Sequence, residues 1–115
     1  MSQRARRAQA VRVDDVASVF SALGDDTRLK LVSTLSARGA MSITQLTAGI
    51  GHTRQAVTKH LRVLSSAGLV LDEKLGRERL WKFEPDALKK ARRSLENIAA
   101  QWDDALERLR RAVEE

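Results

Sequence analysis

Five polar side chains recur on one side of a short predicted helix. Within residues 53–67, Val57, Leu61 and Leu64 are spaced by four and then three, as one apolar stripe of an α-helix requires. The opposite side carries long donor groups: Arg54, Gln55, Thr58, Lys59 and Arg62. Such groups donate to phosphates and base edges, and a helix about 10–12 Å across fits the major groove of duplex DNA. The pattern indicates a DNA recognition helix, although a solvated surface helix has the same composition.

This helix has clear end signals and a short helix before it. Thr53 is a good N-cap, and Gly68 suits the left-handed residue that ends a helix. Upstream, Ser42 and Gln45 have the spacing of a capping box, and the helix that they start ends at residues 49–51. Two short helices joined by a glycine-containing turn predict a helix-turn-helix, in which the first helix braces the second. The residues expected to face inward from the first of them are Ile43, Leu46 and Ile50.

Residues 69–83 change to a period of two, which predicts a two-stranded β-hairpin. Gly76 and Arg77 suit its tight turn. Three cations cluster at the tip, and beside a helix-turn-helix they favour a wing that contacts phosphates or a minor groove. A charged edge that prevents strand aggregation is the alternative. The alternating apolar residues are Leu69, Leu71, Trp81 and Phe83, and the tip cations are Lys74, Arg77 and Arg79.

Two further helices are predicted before the helix-turn-helix. The first begins near residue 13 and ends at Gly24; the second is capped by Asp25 and ends at Gly39. Arg28, in the first turn of the second helix, is interpreted as structural, because an arginine there usually pairs with a neighbouring carboxylate. The apolar residues are Val13, Val16, Phe20 and Leu23 in the first helix, and Leu29, Leu31, Val32 and Leu35 in the second.

A long helix is predicted over residues 85–113, with Pro85 at its first position. At 1.5 Å per residue it measures roughly 42 Å, longer than a compact domain of this size covers by itself. Packing along its whole length within one subunit is the alternative to a homodimer formed through the first and last helices, which we favour. Its apolar seam is Leu88, Ala91, Leu95, Ile98, Trp102, Ala105, Leu109 and Ala112. The predicted dimer interface is Val16, Phe20, Leu95, Ile98, Trp102, Leu106 and Leu109.

Length and composition predict one domain, residues 13–115, behind a basic arm at 1–12. The 115 residues contain no cysteine, no long apolar run and no signal-peptide pattern, which is typical of a cytoplasmic protein without membrane contact. The net charge of +6 is uneven. The arm holds four arginines and no acid, and residues 53–83 hold seven basic and three acidic side chains. A phosphate backbone favours that distribution. The arm either contacts nucleic acid or is a disordered, solubilising tail.

The order of elements and several residue runs resemble the ArsR/SmtB family of winged helix-turn-helix repressors. The matching residues are Ala22, Leu23, Asp25 to Arg28, Gln55 to Leu61, Leu64, Ala67 to Val70, Gly76, Arg77, Trp81 and Phe83. The resemblance covers roughly residues 13–110. It implies a mainly α fold with a small β wing, a dimer formed through the first and last helices, and binding to a pseudo-palindromic operator. The family's recognition-helix contacts fall on Arg54, Gln55, Thr58 and Lys59, and its wing contact falls on Arg77; Arg62 is an extension from helix geometry.

The chain departs from the members of this family that sense metals. Those members use a cysteine pair on the third helix, or Asp, His and Glu on the last one. The chain has no cysteine and only two histidines, His52 and His60, which are eight residues apart. We therefore expect a metal-independent member without a cofactor. His60 is expected to pack or hydrogen-bond within the recognition helix, and His52 to lie in the turn.

Two other function classes compete with a DNA-binding regulator. The sequence has no Ser/His/Asp arrangement, phosphate loop or metal cluster, so an enzyme is not expected. A winged helix used for protein–protein assembly is the alternative. The concentration of cations on the recognition helix and the wing favours the regulator. The sequence indicates no small-molecule effector, no operator sequence, and no choice between repression and activation.

Overall fold

The computed structural model describes residues 13–114, with side chains from residue 16 onward, so the basic arm and the side chain of Val13 lie outside the described residues. Five helices and three strands follow one another along the described residues 13–114. They are α1 (Val13–Leu23), α2 (Asp26–Arg38), β1 (Met41–Ser42), α3 (Ile43–Ile50), α4 (Arg54–Ser66), β2 (Val70–Leu75), β3 (Glu78–Phe83) and α5 (Pro85–Glu114). Among these helices, none combines the length and apolar composition needed to cross a bilayer.

Side-chain caps start three of the helices at the predicted residues. A carboxylate oxygen of Asp25 accepts the Arg28 amide at 3.0 Å at the start of α2. The Ser42 hydroxyl accepts the Gln45 amide at 3.2 Å, and Oε1 of Gln45 accepts the Ser42 amide at 3.0 Å, which completes the capping box of α3. The Thr53 hydroxyl accepts the amide of the third residue of α4 at 3.1 Å. Each such cap stabilises its helix by about 1 kcal/mol.

The hairpin belongs to a three-stranded antiparallel sheet in the order β1-β3-β2. Its two-residue turn lies between Leu75 and Glu78, and Gly76 has the positive φ (64°) that such a turn requires. The first strand was not predicted. It pairs Met41 with Trp81, but it is only two residues long and runs directly into the capping box, so it is too short to show a period of two.

One apolar core joins the helices to the sheet. Three side chains of α4 in this core have no exposed surface, and Leu31 and Leu35 are buried at the centre of α2. Partly buried apolar residues from α3 and from the start of α5 pack around them. The core residues are Val16, Val19, Ala22, Leu31, Val32, Leu35, Leu46, Val57, Leu61, Leu64, Leu69, Val70, Trp81 and Ala91.

Two residues of the predicted apolar faces, Leu29 and Leu71, are exposed instead. Leu29 is 52% exposed. Leu35 lies at the centre of the buried face of α2, and Leu29 lies about 120° around the helix from it. Leu71 is 42% exposed. The amide of Leu69 donates to the Leu64 carbonyl at the end of α4, so β2 begins at Val70, which is the one buried residue of this strand. Phe20, which belongs to the predicted dimer interface, is 37% exposed in the subunit, and α1 buries Val16, Val19 and Ala22 at spacings of three.

Candidate nucleic-acid interface

The apolar face of α4 fixes the direction of its polar face. Val57, Leu61 and Leu64 are fully buried, as their spacing predicts. The helix packs against α1, α2, α3 and β2, so it is held from several directions. Because the buried stripe occupies one side, the long polar side chains of the other side extend away from the subunit.

The five predicted recognition residues line one open concave surface. Its lining is Thr53, Arg54, Gln55, Ala56, Thr58, Lys59 and Arg62. Arg54, Gln55, Lys59 and Arg62 are exposed, and Thr58 is half-buried. The Thr58 hydroxyl donates to the Arg54 carbonyl at 2.8 Å, so its proton is used within the helix and its oxygen remains an acceptor.

The cations of this concave surface have no acidic partner. Within residues 16–114, no carboxylate lies within 4.0 Å of Arg54, Lys59 or Arg62. The basic charge is therefore available to an external anion. A row of exposed, unpaired cations on one helix is the arrangement that binds a phosphate backbone.

Cations of the wing divide into two groups. Arg79 lies 3.4 Å from Asp72, and Lys82 lies 3.1 Å from Glu73, each across the hairpin. Lys74 and Arg77 at the tip have no carboxylate within 4.0 Å among the residues whose side chains are described. Lys74 and Arg77 therefore carry the unpaired positive charge of the described wing, whereas Arg79, which lies opposite Lys74, and Lys82 are engaged in ion pairs.

Both histidines contact the first turn of α2. Nε2 of His52 lies 3.2 Å from the Thr27 hydroxyl, and His52 lies in the turn before α4, as predicted. Nδ1 of His60 lies 3.4 Å from Nη1 of Arg28. The expectation that His60 bonds within its own helix is wrong, because its partner belongs to α2. The sequence gives no signal for a contact between residues 32 positions apart.

The guanidinium of Arg28 also holds the end of α1, so its interpretation as structural agrees with its contacts. Nε donates to the Ala22 carbonyl at 2.7 Å, and Nη2 donates to the Ser21 carbonyl at 3.4 Å. The expected carboxylate partner is thus replaced by backbone carbonyls. Asp25 instead binds the Arg28 amide, and that hydrogen bond, helped by the charge of the guanidinium, holds the pKa of the Asp25 carboxyl below its ordinary value.

Beyond the buried residue Ala91, α5 exposes the apolar residues of the predicted dimer seam. Trp102 is 64% exposed and Ile98 is 57% exposed, although both are apolar in character. Of the α1 residues predicted for the interface, Phe20 is partly exposed, whereas Val16 is 7% exposed and lies in the subunit core. Val16 therefore has little side chain left for a partner. The other exposed seam residues are Leu95, Leu106 and Leu109.

Metal-binding groups do not come together in the described part of the chain. No cluster of three or more His, Asp or Glu side chains there has the arrangement of a metal site. The chain also contains no cysteine.

Comparison with known proteins matches the helix-turn-helix to a family. Residues 23–73 match the model of a helix-turn-helix domain. The HTH-type transcriptional regulator YuzN of Bacillus subtilis is 38% identical over 78 residues, covering 63% of this chain and 85% of the relative. The arsenical resistance operon repressor of Escherichia coli is 31% identical over 67 residues, covering 58% of this chain and 57% of the relative.

A solved structure agrees over most of the chain. The ArsR-like transcriptional regulator from Rhodococcus sp. RHA1 is 38% identical, with a TM-score of 0.78, covering 85% of this chain and 92% of that protein. The chain belongs to the ArsR family of winged helix-turn-helix transcriptional regulators. ArsR-family proteins are DNA-binding regulators rather than enzymes, and the comparisons give no support to the assembly alternative.

Proposed function

We propose that this ArsR-family protein is a homodimeric repressor that binds a pseudo-palindromic operator, commonly in its own promoter. The observation that carries the proposal is the concave polar surface of α4, whose three cations have no acidic partner among the described residues. An operator of this kind presents one half-site to each subunit, with the two half-sites one helical turn of DNA apart. A cytoplasmic location forms part of the same proposal.

The residues of α4 divide between base readout and backbone contact. Gln55 has the amide geometry for paired hydrogen bonds to adenine, and Arg54 or Arg62 has the geometry for guanine. Lys59 supplies a point charge for a phosphate or a base, and Thr58 supplies its acceptor oxygen. These assignments follow from exposure and chemistry on a single helix face.

The wing supplies sequence-independent affinity. Arg77 and Lys74, which have no ion-pair partner in the described chain, bind phosphates or line a minor groove. Arg79 contributes less, because Asp72 already neutralises part of its charge.

Dimerisation covers the seam of α5. Trp102, Ile98 and Leu109 are each more than half exposed in the subunit, and a large aromatic side chain in the middle of such a seam is the usual anchor of an interface. The second subunit therefore packs on this seam and on Phe20 of α1.

Operator binding is independent of metal in this proposal. A gel-shift titration against the DNA upstream of the protein's own gene, with and without a chelator, tests both parts. Saturable binding that is retained in chelator supports the proposal. Loss of binding in chelator contradicts metal independence, and absence of binding at every salt concentration contradicts DNA recognition in favour of an assembly module.

A further inference from the structure

One guanidinium links three helices at a single point. Arg28 belongs to the first turn of α2, its Nε and Nη2 bind the last carbonyls of α1, and its Nη1 faces Nδ1 of His60 in α4. His60 is 24% exposed, so the contact is partly shielded from water. The link therefore connects the helix that reads DNA with a helix of the proposed dimer interface.

The chemistry of the contact fixes the role of each partner. A guanidinium only donates hydrogen bonds, so a bond between Arg28 and His60 uses Nδ1 of His60 as its acceptor. The Asp25 carboxylate lies 3.8 Å from the same Nδ1 and balances the charge of Arg28. The bond from Arg28 to the Ala22 carbonyl satisfies a group that α1 leaves open at its end, whereas the Ser21 carbonyl also accepts the Gly24 amide at 3.2 Å. Positive charge at this end also suits the helix dipole.

We propose that Arg28 and His60 act as positioning residues for DNA recognition, by fixing the placement of α4 relative to α1. This inference rests on the proposed function. In a dimer that meets two half-sites, the two α4 helices must be held at a separation of about one turn of DNA. The buried apolar stripe of α4 resists movement away from the core. Apolar contacts have no preferred direction, so they restrain sliding and rotation of the helix less than a directional hydrogen bond does.

Substitutions at His60 test the proposal without removing the hydrogen bonds from Arg28 to the end of α1. His60→Asn keeps an acceptor oxygen near the position of Nδ1, whereas His60→Ala removes the acceptor. Asn has about the same helix propensity as His, and Ala has a higher one, so neither variant is expected to unfold α4. Thermal unfolding and sedimentation establish that both variants are folded and have the wild-type oligomeric state.

DNA affinity is measured on two duplexes. One is selected from a random-sequence pool by the wild-type protein, and the other is a scrambled duplex of the same composition. His60→Ala is expected to weaken binding to the selected duplex about tenfold, which is the usual worth of a hydrogen bond from a charged donor, and to leave binding to the scrambled duplex unchanged. His60→Asn is expected to remain within about threefold of wild type on both.

A double-mutant cycle with Arg28→Lys identifies the partner. Lysine keeps the charge but lacks the fork that reaches α1 and α4 together. Arg28→Lys and His60→Ala combined are expected to weaken specific binding no more than the stronger single substitution. Additive losses contradict a shared role, and so do equal effects of Asn and Ala at position 60 or equal losses on both duplexes. If the wild type enriches no sequence from the pool, the proposed function itself fails.

Discussion

The proposed recognition helix α4 and the part of α5 beyond Ala91 differ in which groups they leave exposed. In α4, the apolar stripe is fully buried and the cations have no carboxylate nearby in the described chain. In α5, some of the charged residues form ion pairs with one another, as Arg92 does with Glu96 and Arg110 does with Glu107, and the apolar seam is exposed. We therefore expect α4 to bind a polyanion and α5 to pack against an apolar surface.

The two proposed binding surfaces use different exposed groups of one short chain. Buried apolar area holds α4 in the subunit, so its charge is free for DNA. Ion pairs within α5, including those of Arg110 with Glu107 and with Glu114, neutralise charge that would repel a second copy. In α4 the apolar side chains are buried within the subunit and the cations are exposed. In α5 ion pairs engage part of the charge and the apolar seam is exposed.

The largest expected effect is at the seam of α5. Trp102→Ala is expected to cost the dimer about 3–5 kcal/mol, because it removes a large side chain that the partner buries, and to raise the dimer dissociation constant more than a hundredfold. Sedimentation equilibrium measures the constant. Asn97→Ala, an exposed change on the far side of the same helix, is the control and is expected to leave the dimer intact. An unchanged dimer in the Trp102 variant removes this residue from the interface.

A smaller effect is expected at the polar face of α4. Gln55→Ala is expected to weaken specific binding by about 1–3 kcal/mol and to relax the preference at one base pair, because its amide reads a base edge. Selection from a random duplex pool, repeated with the variant, measures the change in preference. Loss of affinity without any change of preference assigns Gln55 to the backbone instead.

The wing gives a sequence-independent effect of lesser size. Arg77→Ala is expected to lower affinity for all duplexes alike and to reduce the slope of log affinity against log salt by roughly one unit. Lys82→Ala is the matched control, since Lys82 is already paired with Glu73 at 3.1 Å and should change the slope less. Equal slopes for the two variants contradict the division of the wing into free and paired cations.

The smallest effect concerns acid stability at the start of α2. The pKa of Asp25 lies below its ordinary value of 3.8, so its charge stabilises the fold above that pH, and the contribution is lost as pH falls through the lower folded value. Asp25→Asn keeps the capping oxygen and removes the charge. Urea titrations should show the wild type more stable at pH 6, and the difference should shrink below pH 3.8. A difference that is constant with pH assigns the effect to the cap alone.

Local signals predicted most of the architecture. The caps at Asp25, Ser42 and Thr53 and the turn at Gly76 depend on residues close in sequence, so five helices and the hairpin follow from spacing. β1 was missed because its pairing with β3 is long-range and only two residues long.

Exposure was predicted less well where an apolar residue borders the buried face. Leu29 and Leu71 are apolar, but the packing of neighbours decides which side of each element is inside. In the candidate site, the polar face of α4 was predicted from helical periodicity. The contact between Arg28 and His60 was not, since no local pattern joins α2 to α4. Roles of individual residues on DNA stay predictions.

The exposed apolar seam of α5 makes the fraction of dimer depend on the concentration of the protein. A lone subunit would present Trp102 to water, so free energy favours its pairing, and the fraction of paired protein rises with its concentration. Occupancy of a promoter that needs the paired form then depends on roughly the square of subunit number at low copy. A gene that shuts itself off through such a protein would respond with a threshold rather than in simple proportion.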